Sequence, residues 1–136
     1  SLQILLPLHF TFSGSLAYTR GRNEDADAPL AEIPPLEART TLRYSRDDFF
    51  AELEGVFNDD QDRVAGRLNE ALTPGWGVAH IKAGTSFKNV EITAGVQNIF
   101  DKDYVRHLSY QRDPFRAGVR VPERGRSVFF LLSANL

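Results

Sequence analysis

Cysteine is absent from the 136-residue chain, and no long apolar run is present either. Without cysteine, neither a disulfide framework nor a cysteine zinc site can form. A membrane-spanning helix needs roughly 18–20 consecutive apolar residues, and no run approaches that length, which excludes helical spans. The formal net charge is only −2, so no broad basic surface argues for nucleic-acid binding. Composition therefore leaves open a soluble β-domain or a membrane β-barrel, whose alternating strands keep the mean hydropathy low.

Apolar and polar residues alternate in six segments, which predicts six β-strands. The segments are residues 8–18, 36–44, 49–57, 77–87, 90–96 and 128–136. No segment of comparable length keeps a helical period, and the stretch 63–72 is interpreted as loop. The predicted fold class is all-β, an antiparallel meander of about six strands that forms part of a transmembrane β-barrel.

The connections between the predicted strands are of two kinds. Residues 45–48 and Lys88-Asn89 form short connections, whereas residues 20–35, 59–76 and about 101–125 form long ones. Short turns at one end and long loops at the other are typical of transmembrane β-barrels. Structureless loops of this length are uncommon in compact soluble domains. The connections therefore favour the membrane barrel.

Charged side chains occupy mid-strand positions on one face of the predicted sheet. They are Glu37, Arg39, Arg43, Glu52, Glu54, His80, Lys82 and Glu91. In a soluble barrel this face would meet solvent, and in a membrane barrel it would line a wet lumen. Small residues on the opposite face are tolerable against lipid but would leave gaps in a packed core. We expect His80 and Lys82 to face the lumen, where they either contact the ligand path or bond to water and neighbours.

Residues 96–108, VQNIFDKDYVRHL, resemble the signature N-(L/I)-F-D-K-x-Y of the TonB-dependent receptors of bacterial outer membranes. Asn98, Phe100, Asp101 and Tyr104 match that motif. The chain end, with apolar residues at every second position from Val128, is similar to the family's final strand. The family's usual last residue is aromatic, whereas this chain has a leucine at position 136. The resemblance extends from about residue 8 to residue 136.

The resemblance implies that residues 1–136 are the C-terminal segment of such a barrel, with the plug domain and earlier strands upstream. It implies active transport of a metal chelate (ferric siderophore, haem or copper) across the outer membrane. The TonB energy-transducing protein would act through the missing N-terminal part, and lipid and lipopolysaccharide would surround the barrel. The resemblance implies no cofactor. Six strands alone would leave two open edges, through which an isolated fragment could self-associate.

The sequence offers no catalytic constellation, so we do not expect an enzyme. Three histidines, His9, His80 and His107, are dispersed and lack the spacing of a zinc motif. The acidic groups at 24–27 and 59–62 could offer oxygen ligands to a hard cation, but neither matches a calcium loop. We interpret them as solvated loop carboxylates and predict no metal site.

The last predicted loop is rich in arginine. Six arginines lie between positions 106 and 126, and only Asp113 and Glu123 oppose them, which gives a local formal charge of about +4. Such a mouth would attract an anionic chelate or lipopolysaccharide phosphates, and the candidate ligand-binding residues are Arg112, Arg116, Arg120 and Arg124. Alternatively, these arginines pair with the acidic loops. Residues 112–126 are also similar to the last loop of copper-type receptors, although the chain lacks the methionine and cysteine on which their metal chemistry relies.

Two other functions remain open at this point. The chain could be a small self-contained β-barrel that holds an apolar ligand, in which case its apolar face would point inward. It could also be a passive pore without energy coupling. In both the receptor and the pore, the apolar face would point outward against lipid.

Overall fold

The computed structural model describes residues 1–25, 27–113 and 116–134, with the side chains of residues 110–113 and 116–118 outside the described part. These residues form β-strands and one short 3₁₀ turn, Gly66–Leu68. No helix in the described ranges is long and apolar enough to cross a membrane.

Seven strands form one antiparallel sheet. In their order across the sheet they are β1 (Leu2–Leu6), β2 (Phe10–Ala17), β5 (Glu37–Arg46), β6 (Phe49–Asn58), β7 (Trp76–Phe87), β8 (Val90–Gln97) and β11 (Ser127–Ala134). Two small hairpins lie within the long connections: β3 (Arg22–Asn23) pairs with β4 (Ala28–Pro29), and β9 (Tyr110–Asp113) pairs with β10 (Arg116–Arg120). Each strand of the main sheet pairs with the strands next to it in chain order, which confirms the predicted antiparallel meander.

Strand β1 is an addition to the six predicted strands. Its sequence, LQILL, contains a single polar residue and therefore shows no alternation. The turn after it places Leu8 (φ 61°) and His9 (φ 67°) in the left-handed region, so β2 begins at Phe10 rather than at the predicted residue 8. The hairpin of β9 and β10 was also missed, since its sequence, interrupted by a proline, does not alternate.

The short and long connections lie at opposite ends of the sheet, as predicted. Two-residue turns at Asp47-Asp48 and Lys88-Asn89 join β5 to β6 and β7 to β8. The ranges 18–36, 59–75 and 98–126 form the long-loop end. In transmembrane barrels the short turns are periplasmic and the long loops extracellular.

The apolar face of the sheet is exposed, and the polar face is the more enclosed one. Leu53 and Ile81 in the central strands are each 46% exposed, and Phe130 in β11 is 69% exposed. By contrast, Val56 and Val78 are 2% and 4% exposed, although both lie on the face that carries the charged residues. Such a surface suits lipid contact. The outward apolar face argues against a self-contained module with an apolar interior.

Ion pairs cross the polar face in rows set by the strand register. Arg43, Glu52 and Lys82 are direct cross-strand partners on β5, β6 and β7. The Glu52 carboxylate lies 3.0 Å from Arg43 Nη1 and 2.8 Å from Lys82 Nζ. Arg39 reaches Glu54 diagonally at 3.0 Å, since Thr41 is the direct partner of Glu54. These rows neutralise most of the charge on the wall of the sheet.

A new charge should destabilise the protein much more on the apolar face of β5 than on the polar face. Leu42 lies mid-strand on the apolar face, whereas its neighbour Thr41 lies on the polar face opposite Glu54. We expect Leu42→Arg to cost about 2–4 kcal/mol of unfolding free energy in lipid vesicles, because the charge enters hydrocarbon. Thr41→Arg, the matched control, should cost less than about 1 kcal/mol, since water and Glu54 receive the charge. Urea titration of the full-length protein in vesicles measures both, and equal costs would contradict the assignment of the faces.

Candidate functional site

A cavity of about 420 Å³ opens on the polar face near the long-loop end. Arg39, His80 and Lys82 line its wall, and Arg106 and Arg124 of the last loop line its rim. His80 Nδ1 accepts a hydrogen bond of 3.0 Å from the Asn98 backbone amide. His80 therefore helps to position the turn where β8 ends, while Lys82 is held in the ion-pair rows.

The matched motif residues connect the two ends of the last loop. Asn98, at φ 50°, is 2% exposed, and its Nδ2 and Oδ1 each bond to the Lys102 backbone at 2.9 Å. Nδ2 also lies 3.4 Å from the Arg124 carbonyl oxygen. Asp101 Oδ1 accepts a hydrogen bond of 2.6 Å from the Arg126 amide. Asparagine tolerates the left-handed backbone and satisfies the turn with its own amide.

The aromatic members of the motif lie in different surroundings. Tyr104 packs on the buried Trp76, with ring centroids 4.3 Å apart, and the Arg106 guanidinium lies 5.6 Å from the Trp76 ring centre. This stack fixes the last loop to the wall of β7. Phe100 is 78% exposed, which suits an aromatic residue at a membrane interface.

Two arginines of the last loop pair with carboxylates of the same loop. Arg106 Nε lies 3.7 Å from Glu123, and Arg126 Nη2 lies 3.8 Å from Asp101. For Arg106 and Arg126, the partners are therefore carboxylates of the last loop and not those of the acidic loops at residues 20–35 and 59–75. Exposed pairs at these separations contribute little stability.

The four candidate ligand-binding arginines differ in their surroundings. The Arg120 guanidinium donates to the Leu72 carbonyl oxygen and so connects β10 to the loop after β6. Arg124 is exposed and is among the residues that line the cavity on the polar face. The side chains of Arg112 and Arg116 lie outside the described residues. The structure therefore brings Arg124, His80 and Lys82 to one cavity and gives Arg120 a loop-bridging contact.

A buried polar cluster holds the three long loops together. Glu70, whose side chain is 2% exposed, accepts backbone hydrogen bonds from Glu32 at 2.7 Å and Ala65 at 2.6 Å. His107 Nε2 lies 3.1 Å from Glu70 Oε1, and His107 Nδ1 lies 2.8 Å from Thr73 Oγ1. Since an ionised carboxylate only accepts, Nε2 carries the proton of this contact. We call these residues the loop junction.

The loop junction does not offer a catalytic site. An acid, a histidine and a hydroxyl in series can activate a nucleophile. Here the His107 and Glu70 side chains are each 2% exposed, and the adjoining cavity holds only about 10 Å³. No substrate reaches Thr73 in this arrangement. Sequence reasoning did not single out Glu70, because a lone glutamate in a polar loop gives no signal of the histidine 37 positions away.

Metal ligands are not clustered in the described part of the chain. Among its histidine, aspartate and glutamate side chains, no group of three or more is arranged to hold a metal ion.

An open antiparallel sheet with an outward apolar face, a polar inner face and long loops at one end is a wall segment of a transmembrane β-barrel. In fold and sequence, the chain matches a barrel segment of the TonB-dependent outer-membrane receptors. Its solved neighbours are receptors of the Gram-negative outer membrane, which confirms the predicted location. They are transport receptors rather than enzymes.

Three solved structures illustrate the match. The copper transporter OprC is 32% identical with a TM-score of 0.88, over 97% of this chain and 22% of that one. The ferric enterobactin receptor PfeA of Pseudomonas aeruginosa is 23% identical with a TM-score of 0.76, over 98% and 21%. The ferric-catecholate import receptor Fiu of E. coli K12 is 20% identical with a TM-score of 0.63, over 94% and 19%. The last two support the fold alone.

The chain spans about a fifth of the length of these solved receptors. No protein-family model and no curated protein matches it.

The side-chain hydrogen bonds of Asn98 should contribute to the stability of the protein. Asn98→Ala removes the side-chain bonds and strains the positive φ, so we expect a loss of about 2–4 kcal/mol in unfolding free energy. Asn98→Gly keeps the backbone conformation but removes the bonds, and it should lose about 1–3 kcal/mol. Equilibrium unfolding of the full-length protein gives both values. A glycine variant as stable as the wild type would show that the side-chain bonds contribute nothing.

The stability of the loop junction should depend on pH, because it relies on the ionised Glu70 carboxylate. Burial alone would raise the pKa of the Glu70 carboxyl, but the two amide hydrogen bonds and His107 outweigh it and hold the pKa below its usual value. A depressed folded pKa contributes stability that is complete above the unfolded value of about 4.3 and is lost as pH falls through the folded pKa. The protection factors of the amides in residues 61–73, which express exchange rates corrected for the intrinsic effect of pH, should therefore fall at acid pH.

A pair of variants separates this effect from general acid unfolding. Glu70→Gln should lower the protection factors of residues 61–73 at neutral pH and remove most of the dependence of these factors on acid pH. Asp60→Asn, a change at an exposed carboxylate in the same loop, should leave both unchanged. An unaltered acid profile in the Glu70 variant would refute the role of this carboxylate.

Proposed function

We propose that this chain is the C-terminal barrel segment of an energy-coupled outer-membrane receptor that imports a metal chelate. The observation that carries the proposal is the alignment with the copper transporter OprC at 32% identity over 97% of the chain. The outward apolar face and the extracellular loop system are consistent with it. The plug domain and the contact with TonB would belong to the part of the protein upstream of this segment.

Within the receptor, this segment would supply part of the barrel wall and three of the extracellular loops. The ion-pair rows neutralise Glu52 and Glu54, so the wall itself exerts little net field on a passing ligand. Charge selection would instead lie at the mouth, where the exposed Arg124 is among the residues that line the cavity on the polar face. Arg112 and Arg116 would add to this basic mouth, and Arg120 would hold the loop that presents them.

The ligand of this mouth would be an anionic chelate rather than a bare metal ion. The chain contains neither cysteine nor methionine, so it has no soft sulfur ligand for copper. Its described histidines and carboxylates also form no metal cluster. Arginine recognises carboxylate and other oxyanion groups by paired hydrogen bonds, which suits the outer surface of a metal chelate.

Uptake kinetics of the full-length protein test the basic mouth. In cells expressing Arg124→Ala, we expect the KM for an anionic ferric chelate to rise roughly three- to tenfold, with little change in maximal rate, because a capture contact is lost. Arg46→Ala is the matched control, since Arg46 is an exposed arginine paired with Asp47 at the short-turn end. An unchanged KM in the Arg124 variant would refute the assignment of this residue.

The same assay separates the receptor from a passive pore. Saturable uptake that stops when TonB is deleted supports the energy-coupled receptor. Uptake that rises linearly with chelate concentration and persists without TonB would contradict it. Copper uptake measured in parallel decides between a copper ligand and a ferric ligand.

A further inference from the structure

An arginine is held on an aromatic ring at the extracellular rim of the lipid-facing surface. Tyr18 follows the end of β2, continues the apolar face beyond Leu16, and is 57% exposed, while Leu16 is 74% exposed. Arg63, from the loop after β6, donates a hydrogen bond of 2.7 Å from Nη1 to the Tyr18 hydroxyl. Its guanidinium carbon lies 5.4 Å from the Tyr18 ring centre. This pair fixes a positive charge directly above the apolar belt.

A second arginine, Arg20, lines a cavity together with Arg63. This cavity, of about 230 Å³, is lined by Arg20, Arg22 and Arg63 and by other residues of the β3–β4 region. The Arg63 hydrogen bond is the main cause that lowers the pKa of Tyr18; burial opposes it, and the charges of Arg63 and Arg20 lower the pKa further. Arg20 therefore lies within electrostatic reach of the Tyr18 hydroxyl.

The charge of these arginines is only partly balanced. Arg22 pairs with Asp27, the one carboxylate that lines the cavity. Asp59 and Asp62 act on Arg63 from a distance. Among the described residues, no carboxylate oxygen lies within ion-pair distance of Arg20 or Arg63. Two guanidinium groups are thus left to meet an anion from outside the protein.

We propose that Arg20, Arg63 and Tyr18 bind a phosphate group of a glycolipid in the outer leaflet of the membrane. Arg63 lines the cavity and is bonded to Tyr18, which lies where the apolar belt ends, and lipid headgroups begin at that depth. Arginine matches the geometry of phosphate oxygens with paired donors, and these charge-assisted bonds are strong at a partly dehydrated interface. The Tyr18 hydroxyl accepts from Arg63 and can donate its own hydrogen to the same phosphate.

Occupancy of this site would have a structural effect on the loops. Tyr18 and Arg20 belong to the connection after β2, and Arg63 belongs to the connection after β6. A bound headgroup would hold both connections at the membrane surface through one anion. Tyr18 continues the outward apolar face, and the residues that line this cavity are separate from those that line the cavity at the mouth, so the site does not depend on which chelate is imported.

Native mass spectrometry of the full-length protein in detergent micelles tests the site. The probes are diphosphorylated lipid A, the same lipid after enzymatic removal of both phosphates, and inorganic phosphate. We expect the phosphorylated lipid to bind the wild type at least tenfold more tightly than the dephosphorylated one. Arg20→Ala/Arg63→Ala should lower the affinity for the phosphorylated lipid by about tenfold or more. Tyr18→Phe should lower it less.

The controls make each outcome decisive. Arg46→Ala removes an exposed arginine on the same face of the sheet but at the short-turn end, and it should bind the lipid like the wild type. Equal binding of phosphorylated and dephosphorylated lipid to the wild type would overturn the proposal without any substitution. So would a double variant that binds normally, or an equal loss in the Arg46 variant. Displacement of the lipid by millimolar inorganic phosphate would assign the site to free phosphate instead.

Discussion

The antiparallel register of β5, β6 and β7 sets which face of the sheet each side chain joins. Successive residues of a strand point to opposite faces, so a slip of one residue would carry Glu52 and Lys82 to the lipid side and Leu53 and Ile81 to the polar side. A charge in hydrocarbon costs several kcal/mol, and therefore the alternative register is strongly disfavoured. The ion pairs of Glu52 with Arg43 and Lys82 then form between residues that the register already places opposite one another.

The loops depend on this wall but are stabilised by a different kind of contact. Where the wall uses exposed ion pairs across strands, the loops use buried polar groups whose hydrogen bonds are satisfied. Gln61, 1% exposed, donates a hydrogen bond of 2.6 Å to the Ile33 carbonyl oxygen and exchanges backbone bonds with Thr73. Glu70 serves in the same way among the three long loops. A buried donor or acceptor without a partner is costly, so each such residue restricts two loop segments at once.

The sequence predicted the sheet well because the relevant signal is local. Alternation over eight to twelve residues identifies a strand directly, as with Phe49 to Phe57 in β6, and turn length identifies the end of the sheet. Strand β1 was not predicted because the run LQILL does not alternate, although its pairing with Phe10 to Gly14 is regular. In that strand, tertiary pairing decides the structure rather than pattern.

The candidate site was harder to predict because its contacts join distant parts of the chain. The arginine-rich composition of the last loop was evident, but composition does not show that Arg120 is bonded to the Leu72 carbonyl oxygen. The contacts of Arg63 with Tyr18 and of Glu70 with His107 span 45 and 37 positions. Nothing in either neighbourhood of the sequence indicates the partner. Motif matching found Asn98 and Asp101, and the geometry supplied the reason for their presence.

The order of the strands has a consequence for how such a wall can change. Because every pairing in the main sheet joins strands adjacent along the chain, no strand has to be inserted between two others. Three hairpins closed by short turns follow one another, and the long loops merely connect them. Loop length adds little entropic cost, about 0.6 kcal/mol for each doubling. A barrel of this kind can therefore gain or lose a hairpin, or exchange one extracellular loop for another, while the remaining pairings keep their register.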